Sequence, residues 1–116
     1  MAESKIRNVI FYKSYFREFY KDLKEEVKRK IVWTIRLIET IQRVPKDYLD
    51  HMTGTDGLYE IRVKVGSDIF RIFCFFDKGD LVVLANGFQK KTQKTPKNEI
   101  EKALKIKLEY EKEQKY

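Results

Sequence analysis

The chain contains a single cysteine, Cys74, so no internal disulfide bond can form. Cys74 lies within an apolar run, which predicts a buried thiol in a protein of a reducing compartment. One histidine and one cysteine are too few for ordinary zinc ligation. A glycine-rich phosphate loop is also missing. We therefore expect no metal and no nucleotide cofactor.

The sequence also lacks an apolar stretch long enough to cross a bilayer, and its N-terminus has no apolar signal segment. We expect a cytoplasmic protein without membrane association. With 116 residues, 42% of them hydrophobic, the chain can form one modest core, which predicts a single domain over residues 1–116. The formal net charge of +7 favours polyanionic partners, such as nucleic acid or an acidic protein.

The hydrophobic periodicity predicts an α+β fold. Residues 7–12 form a short predicted strand, and two apolar stripes then predict two consecutive helices or one helix broken near Glu25. Residues 45–57 have the composition of a surface loop. Strands are predicted over residues 59–65, 69–76 and 81–85, before a final helix that has Pro96 at its first position and an apolar stripe reaching Leu108. The predicted architecture is a small antiparallel or mixed sheet of about four strands, with N-terminal helices packed on one face and a C-terminal helix.

Isolated charges on the predicted strands are the main functional signal. Glu60, Arg62 and Lys64 alternate with apolar residues, so they share the solvent-facing side of their strand. Arg71 lies among apolar residues of the next strand and can reach the same side. Such a cationic patch can bind a phosphodiester and stabilise the charge of a pentavalent transition state. The alternative is structural: a solvated strand face, with Glu60 as the counter-ion of Arg71.

Further candidates flank this patch. Lys90, Lys91 and Lys94 either clamp neighbouring phosphates or form a solvated loop. Phe88 lies beside them and can stack on a base. His51, in the predicted loop, has an ordinary pKa near neutrality and is a candidate general acid or base. Other aromatic residues are predicted to be mostly helix core by their spacing: Tyr12, Tyr15, Phe16, Tyr20 and Trp33.

Four short motifs occupy the second half of the chain: Leu58-Tyr59-Glu60-Ile61-Arg62, Phe70-Arg71-Ile72, Gly87-Phe88-Gln89-Lys90-Lys91 and Thr92-Gln93-Lys94-Thr95-Pro96. Together they resemble the HigB-type, phage Gp49-like branch of the RelE/ParE toxin superfamily. The resemblance implies a RelE-like fold and the toxin of a type II toxin–antitoxin pair, with a helix-turn-helix antitoxin as its partner. In the RelE-like branch it implies a metal-independent mRNA endoribonuclease that acts on the ribosome, where the 2′-hydroxyl attacks the adjacent phosphate.

In this resemblance Arg71 matches the transition-state arginine, and Arg62, Lys90 and Lys91 match phosphate-binding cations. Glu60 stands where ribosome-cleaving relatives have a lysine, and it could itself accept a proton. Two other functions stay open from the sequence. One is ParE-like inhibition of DNA gyrase, and the other is a non-catalytic module that binds nucleic acid or protein.

Overall fold

The structure is a computed structural model that describes residues 4–114, and it contains a five-stranded mixed sheet with helices on both faces. Its elements are β1 (Asn8–Phe11), α1 (Tyr15–Tyr20), α2 (Glu25–Thr40), β2 (Leu49–His51), β3 (Leu58–Val65), β4 (Asp68–Asp77), β5 (Leu81–Lys90) and α3 (Lys97–Glu113). The strand order is β1-β5-β4-β3-β2, with β1 parallel to β5 and all other pairs antiparallel. Within residues 4–114, no helix is long and apolar enough to cross a membrane.

The predicted α+β class is confirmed, with one strand more than the sequence indicated. The additional strand is β2, which lies inside the stretch predicted to be loop and pairs with β3 from Leu49 to His51. Three residues are too few for an alternating pattern to stand out, so the sequence carries no strand signal there. The N-terminal helical stretch consists of two helices, separated by residues 21–24.

The helices α1 and α2 bury their apolar stripes on one face of the sheet. The core on this side consists of Phe16, Val27, Ile31, Ile38, Ile61, Val63, Phe70, Ile72, Cys74, Val82 and Leu84. Cys74 is fully buried, and burial raises the pKa of its thiol well above the ordinary value. A Cβ atom at Gly87 would lie 2.5 Å from the ring of Phe19, so only glycine allows α1 to approach β5 this closely.

The helix α3 covers part of the opposite face. Its buried residues Ala103, Ile106 and Tyr110 belong to a second core with apolar residues of β3, β4 and β5. The predicted stripe was wrong at Leu108, which is 52% exposed. It follows Ile106 by two residues, about 200° around the helix. Pro96 stands at the N-cap, one residue before the position predicted for it.

Because both faces of the sheet are covered, β3 does not have the single buried face that its alternation predicted. Ile61 and Val63 are buried on the α1–α2 side, and Leu58 is buried on the α3 side. Glu60, predicted to face solvent, is only 5% exposed. The alternating pattern assigns residues to two sides of a strand, but it does not say what packs over each side.

Candidate nucleic-acid interface

The sheet register brings most of the predicted cations together on the α3 side, at the end of the sheet where β3 ends and β4 begins. Two rows of paired residues cross β3, β4 and β5: Arg62, Arg71 and Phe88 in one row, and Lys64, Ile69 and Lys90 in the next. Residues paired directly across antiparallel strands project to the same face. We call Arg62, Lys64, Arg71 and Lys90 the basic face.

A β-bulge in β5 determines which residues of that strand join the basic face. Cys74 pairs with Leu84 and Ile72 pairs with Gly87, so two β5 residues lie opposite the single residue between Ile72 and Cys74. Without the extra residue, every later side chain of β5 would change face. Phe88 and Lys90 would then project toward α1 and α2, away from the basic face.

The bulge is tied to the start of α3. Asn86 is 2% exposed, and its Nδ2 donates to the carbonyl oxygen of Glu99 at 3.2 Å and to the Oε1 of Glu99 at 3.1 Å. The buried N–H groups of the amide need such partners, because an unpaired polar group is costly away from water, and the amide oxygen of Asn86 is buried without one. The first turn of α3 and the bulge therefore hold each other in place.

Glu60 lies between the two arginines of the basic face. Its Oε1 lies 2.9 Å from both Nε and Nη2 of Arg62. Its Oε2 lies 3.5 Å from Nε of Arg71, as an ion pair between two buried atoms that lack hydrogen-bond geometry. Glu60 is thus the buried counter-ion of two guanidinium groups.

Arg62 and Arg71 differ in how many hydrogen-bond and ion-pair partners their guanidinium groups have. Arg62 also lies 3.4 Å from Oδ2 of Asp50, and its Nη1 donates to the carbonyl oxygen of Lys46 at 3.4 Å. The side chain of Arg71 is only 12% exposed, and its Nη1 donates to the carbonyl oxygen of Phe70 at 3.3 Å. Burial lowers the pKa of the Arg71 guanidinium from its ordinary value, although Glu60 opposes that shift. Because an arginine stays protonated in proteins, Arg71 is a partly buried cation with N–H donors available to an anion.

The basic face borders an open groove of about 450 Å³. Its lining includes Arg62, Lys64 and Arg71 from the sheet, together with Lys30 from α2 and Tyr48 from the segment before β2. Sequence reasoning missed Lys30 and Tyr48, since neither lies on a strand and only the packing of α2 beside β3 brings them here. A concave, cationic groove of this kind can bind a phosphate-containing chain.

The sequence profile of the family described as phage derived protein Gp49-like (DUF891) matches residues 18–107. This chain belongs to the Gp49-like family. The family is toxin-like, of the toxin–antitoxin kind, and membership implies an antitoxin partner. The resemblance to the Gp49-like family that the motifs indicated is thereby confirmed. A search of curated proteins gives no significant match.

Two predicted site residues of this Gp49-like protein lie apart from the basic face or are covered. His51 pairs with Tyr59, and their rings are 5.2 Å apart, on the side of the sheet that faces α1 and α2. The structure therefore does not bring His51 to the arginines. Phe88 lies on the correct side, but it is 8% exposed and packs against Phe73 with ring centroids 5.6 Å apart. Little of its ring is open to a base.

The remaining lysines follow β5 in the Gp49-like chain. Lys91 is exposed, and together with Lys90 it lines a second open groove of about 420 Å³ beside Ile69. Lys94 is exposed in the same loop, where its carbonyl oxygen accepts a hydrogen bond from Oγ1 of Thr92 at 2.7 Å. No group of three or more metal-ligating side chains occurs in the described part of the chain.

Proposed function

We propose that this protein is the toxin of a type II toxin–antitoxin pair and that it is a ribosome-dependent mRNA endoribonuclease. Membership of the Gp49-like family supports the toxin role. The nuclease proposal rests on the position of Arg71. This partly buried arginine is paired with Arg62, and the next row of the sheet contains Lys64 and Lys90. This arrangement suits an RNA phosphate flanked by further phosphates.

In the proposed reaction, the 2′-hydroxyl of one nucleotide attacks the adjacent phosphate. The bond from O2′ to phosphorus forms, the bond from phosphorus to O5′ breaks, and a 2′,3′-cyclic phosphate and a 5′-hydroxyl result. Negative charge on the non-bridging oxygens grows in the transition state. Arg71 donates hydrogen bonds to those oxygens, and its partial burial strengthens that interaction relative to water. Arg62, Lys64, Lys90 and Lys91 contact flanking phosphates.

Glu60 is a positioning residue in this proposal. Arg62 and Arg71 lie directly opposite each other, and like charges in that arrangement repel. Glu60 offsets this repulsion by pairing with both guanidinium groups. The same contacts leave its carboxylate poorly placed to accept a proton from a nucleotide. The chemistry therefore rests on charge and positioning, and we assign no general base.

The test compares mRNA cleavage by Arg71→Ala with cleavage by the wild type. Primer extension on a reporter mRNA, with translation running or blocked, should give cuts within codons that require translation. We expect Arg71→Ala to reduce these cuts by about 100-fold or more, the usual cost of one transition-state donor. Arg17→Ala, an exposed arginine on α1, is the matched control and should cleave like the wild type. Circular dichroism checks that both variants fold.

Other results would overturn the proposal. Cleavage by folded Arg71→Ala at the wild-type level would remove Arg71 from the mechanism. Growth arrest with intact mRNA would favour inhibition of DNA gyrase, which trapped gyrase–DNA breaks would then support. Unaffected growth, with the protein expressed and folded, would leave a non-catalytic binding module.

A further inference from the structure

Trp33 is an exposed aromatic residue of α2. Its helical position predicted a core residue, and that prediction was wrong, because Trp33 is 46% exposed. The buried positions of α2 include Ile31, Thr34 and Ile38, and Trp33 falls beside this stripe rather than on it. An exposed tryptophan ring offers an apolar face on which a flat ligand group can stack.

The Trp33 ring is held in a defined orientation. The ring of Tyr48 meets it edge-on, with centroids 5.6 Å apart and planes at 65°. The Nζ atom of Lys30 lies over the indole, 4.2 Å from its centroid. Both contacts are favourable, and together they hold the indole without burying it.

This aromatic pair adjoins the basic face. Tyr48 and Lys30 line the groove that contains Arg71. Trp33 lines a shallower neighbouring groove of about 520 Å³, and Lys30 and Lys64 border both grooves. A chain with one phosphate at Arg71 would therefore meet lysines and then an exposed aromatic ring as it continues.

We infer that Trp33 and Tyr48 form a stacking subsite for one nucleobase of single-stranded RNA, with the base on the indole face that Lys30 does not cover. Lys30 and Lys64 contact the phosphate between that base and the nucleotide at Arg71. The inference rests on the proposed function in taking RNA as the ligand, and it adds a base-binding subsite to a face that otherwise binds phosphates. Stacking on an aromatic ring tolerates all bases, so the subsite positions the strand without reading its sequence.

Trp33 itself reports on this contact, because it is the single tryptophan of the chain. The probe is a six-nucleotide 2′-O-methyl RNA, which cannot be cleaved through its 2′-oxygen, so binding is measured without chemistry. We expect this RNA to quench the tryptophan fluorescence. An abasic oligonucleotide of the same length should bind about tenfold more weakly and should not quench.

Substitutions separate stacking from phosphate binding. Fluorescence anisotropy of labelled oligonucleotides should find Trp33→Leu about tenfold weaker for the base-bearing RNA and unchanged for the abasic one. Trp33→Phe keeps an aromatic face and should recover most of that loss. The matched control is Leu108→Ala, which alters an exposed apolar residue on α3 and should leave both affinities unchanged.

Equal affinity for the two oligonucleotides, unquenched fluorescence with RNA bound, or no binding at all would each overturn the subsite. A Trp33→Leu variant that binds both oligonucleotides like the wild type would do the same. These outcomes are independent of mRNA cleavage. If the protein cleaves mRNA in cells but RNA does not quench its tryptophan fluorescence, the nuclease proposal holds and the subsite is rejected. If RNA quenches the fluorescence but no mRNA is cleaved, the subsite holds and the nuclease proposal is rejected.

Discussion

Two polar networks lie on the α3 side of the sheet, and they differ in the sign of their excess charge. The arginine network joins β3 to β4 and consists of Glu60, Arg62 and Arg71. The tyrosine network joins the segment after β1 and the first residue of α1 to the C-terminal part of α3. It consists of Tyr12, Lys13, Tyr15, Glu109 and Glu113. One has an excess of cations, and the other has an excess of carboxylates.

The difference lies in how completely donors and acceptors match. In the tyrosine network, Tyr12 and Tyr15 each donate at 2.7 Å to a carboxylate of α3. Burial, with the bond to Glu113, raises the pKa of Tyr12 to about 12. In the arginine network a single buried carboxylate serves two guanidinium groups. A matched network holds elements together, whereas an unmatched one keeps donors free for a ligand.

The largest effect on stability should come from removing the shared carboxylate. Glu60→Ala leaves Arg62 and Arg71 opposite each other without their counter-ion, and it should lower the free energy of unfolding by roughly 3 kcal/mol. Urea denaturation measures this. The control is Glu111→Ala, which removes an exposed carboxylate from its pair with the partly buried Lys107 at 2.8 Å and should cost about 0.5 kcal/mol. Similar losses in the two variants would mean that Glu60 is not a buried counter-ion.

A smaller effect is expected from trimming the tyrosine network. Tyr12→Phe removes the hydroxyl that bonds to Glu113 at 2.7 Å, at a cost of about 1 kcal/mol in the free energy of unfolding. Tyr20→Phe is the control, because it removes the hydroxyl of a partly buried tyrosine outside the network. A Tyr12→Phe protein as stable as the Tyr20→Phe protein would argue that solvent replaces the bond to Glu113.

Two buried tyrosines should also make stability fall at high pH: Tyr12 of the tyrosine network, and Tyr110 of α3, whose hydroxyl donates to Asp77 at 2.7 Å. The fold raises the pKa of Tyr12 and Tyr110 from 10.0 to about 12, so their contribution is complete below pH 10 and is lost as the pH rises through about 12. Urea midpoints between pH 8 and pH 11 would reveal this decline. A double variant with Tyr12→Phe and Tyr110→Phe should decline less. An equal decline in the double variant would assign the effect to other groups.

The smallest effect on stability should come from the lysines of the basic face. Lys64→Ala and Lys90→Ala should each change the free energy of unfolding by less than about 0.5 kcal/mol. Each should nevertheless reduce the slope of log K against log salt for single-stranded RNA by about 0.7, the value for one phosphate contact. Anisotropy titrations at several salt concentrations measure this slope, with the exposed Lys105→Ala on α3 as the control. Unchanged slopes would remove these lysines from the interface.

Much of the fold could be predicted from local patterns. The meander of β3, β4 and β5, the helical character of the stretch that contains α1 and α2, and the buried Cys74 all follow from periodicity and turn residues over short stretches. The strand β2 and the exposed Trp33 could not be predicted in this way. The first depends on a neighbouring strand to pair with, and the second depends on which face of α2 meets the sheet.

For the candidate site, the sequence predicts that Arg62 lies on one side of its strand and that Arg71 on the next strand can reach the same side. The direct pairing of Arg62 with Arg71 depends on the hairpin turn, because Val65 pairs with Asp68 across two residues and not across the three that the sequence predicted. Lys90 joins Arg62 and Arg71 only in the folded sheet, because the bulge in β5 changes the side on which later residues of that strand emerge.

The position of the aromatic pair, Trp33 and Tyr48, beside the arginines likewise depends on packing. Trp33 lies on α2 and Tyr48 lies in the segment before β2, and neither one's position relative to Arg71 follows from spacing along the chain. Local periodicity reports which side of an element a residue occupies, but neighbours from distant elements depend on how all elements pack together. The sequence therefore predicts which charged residues form this site, whereas the packing of the elements determines the shape of the groove.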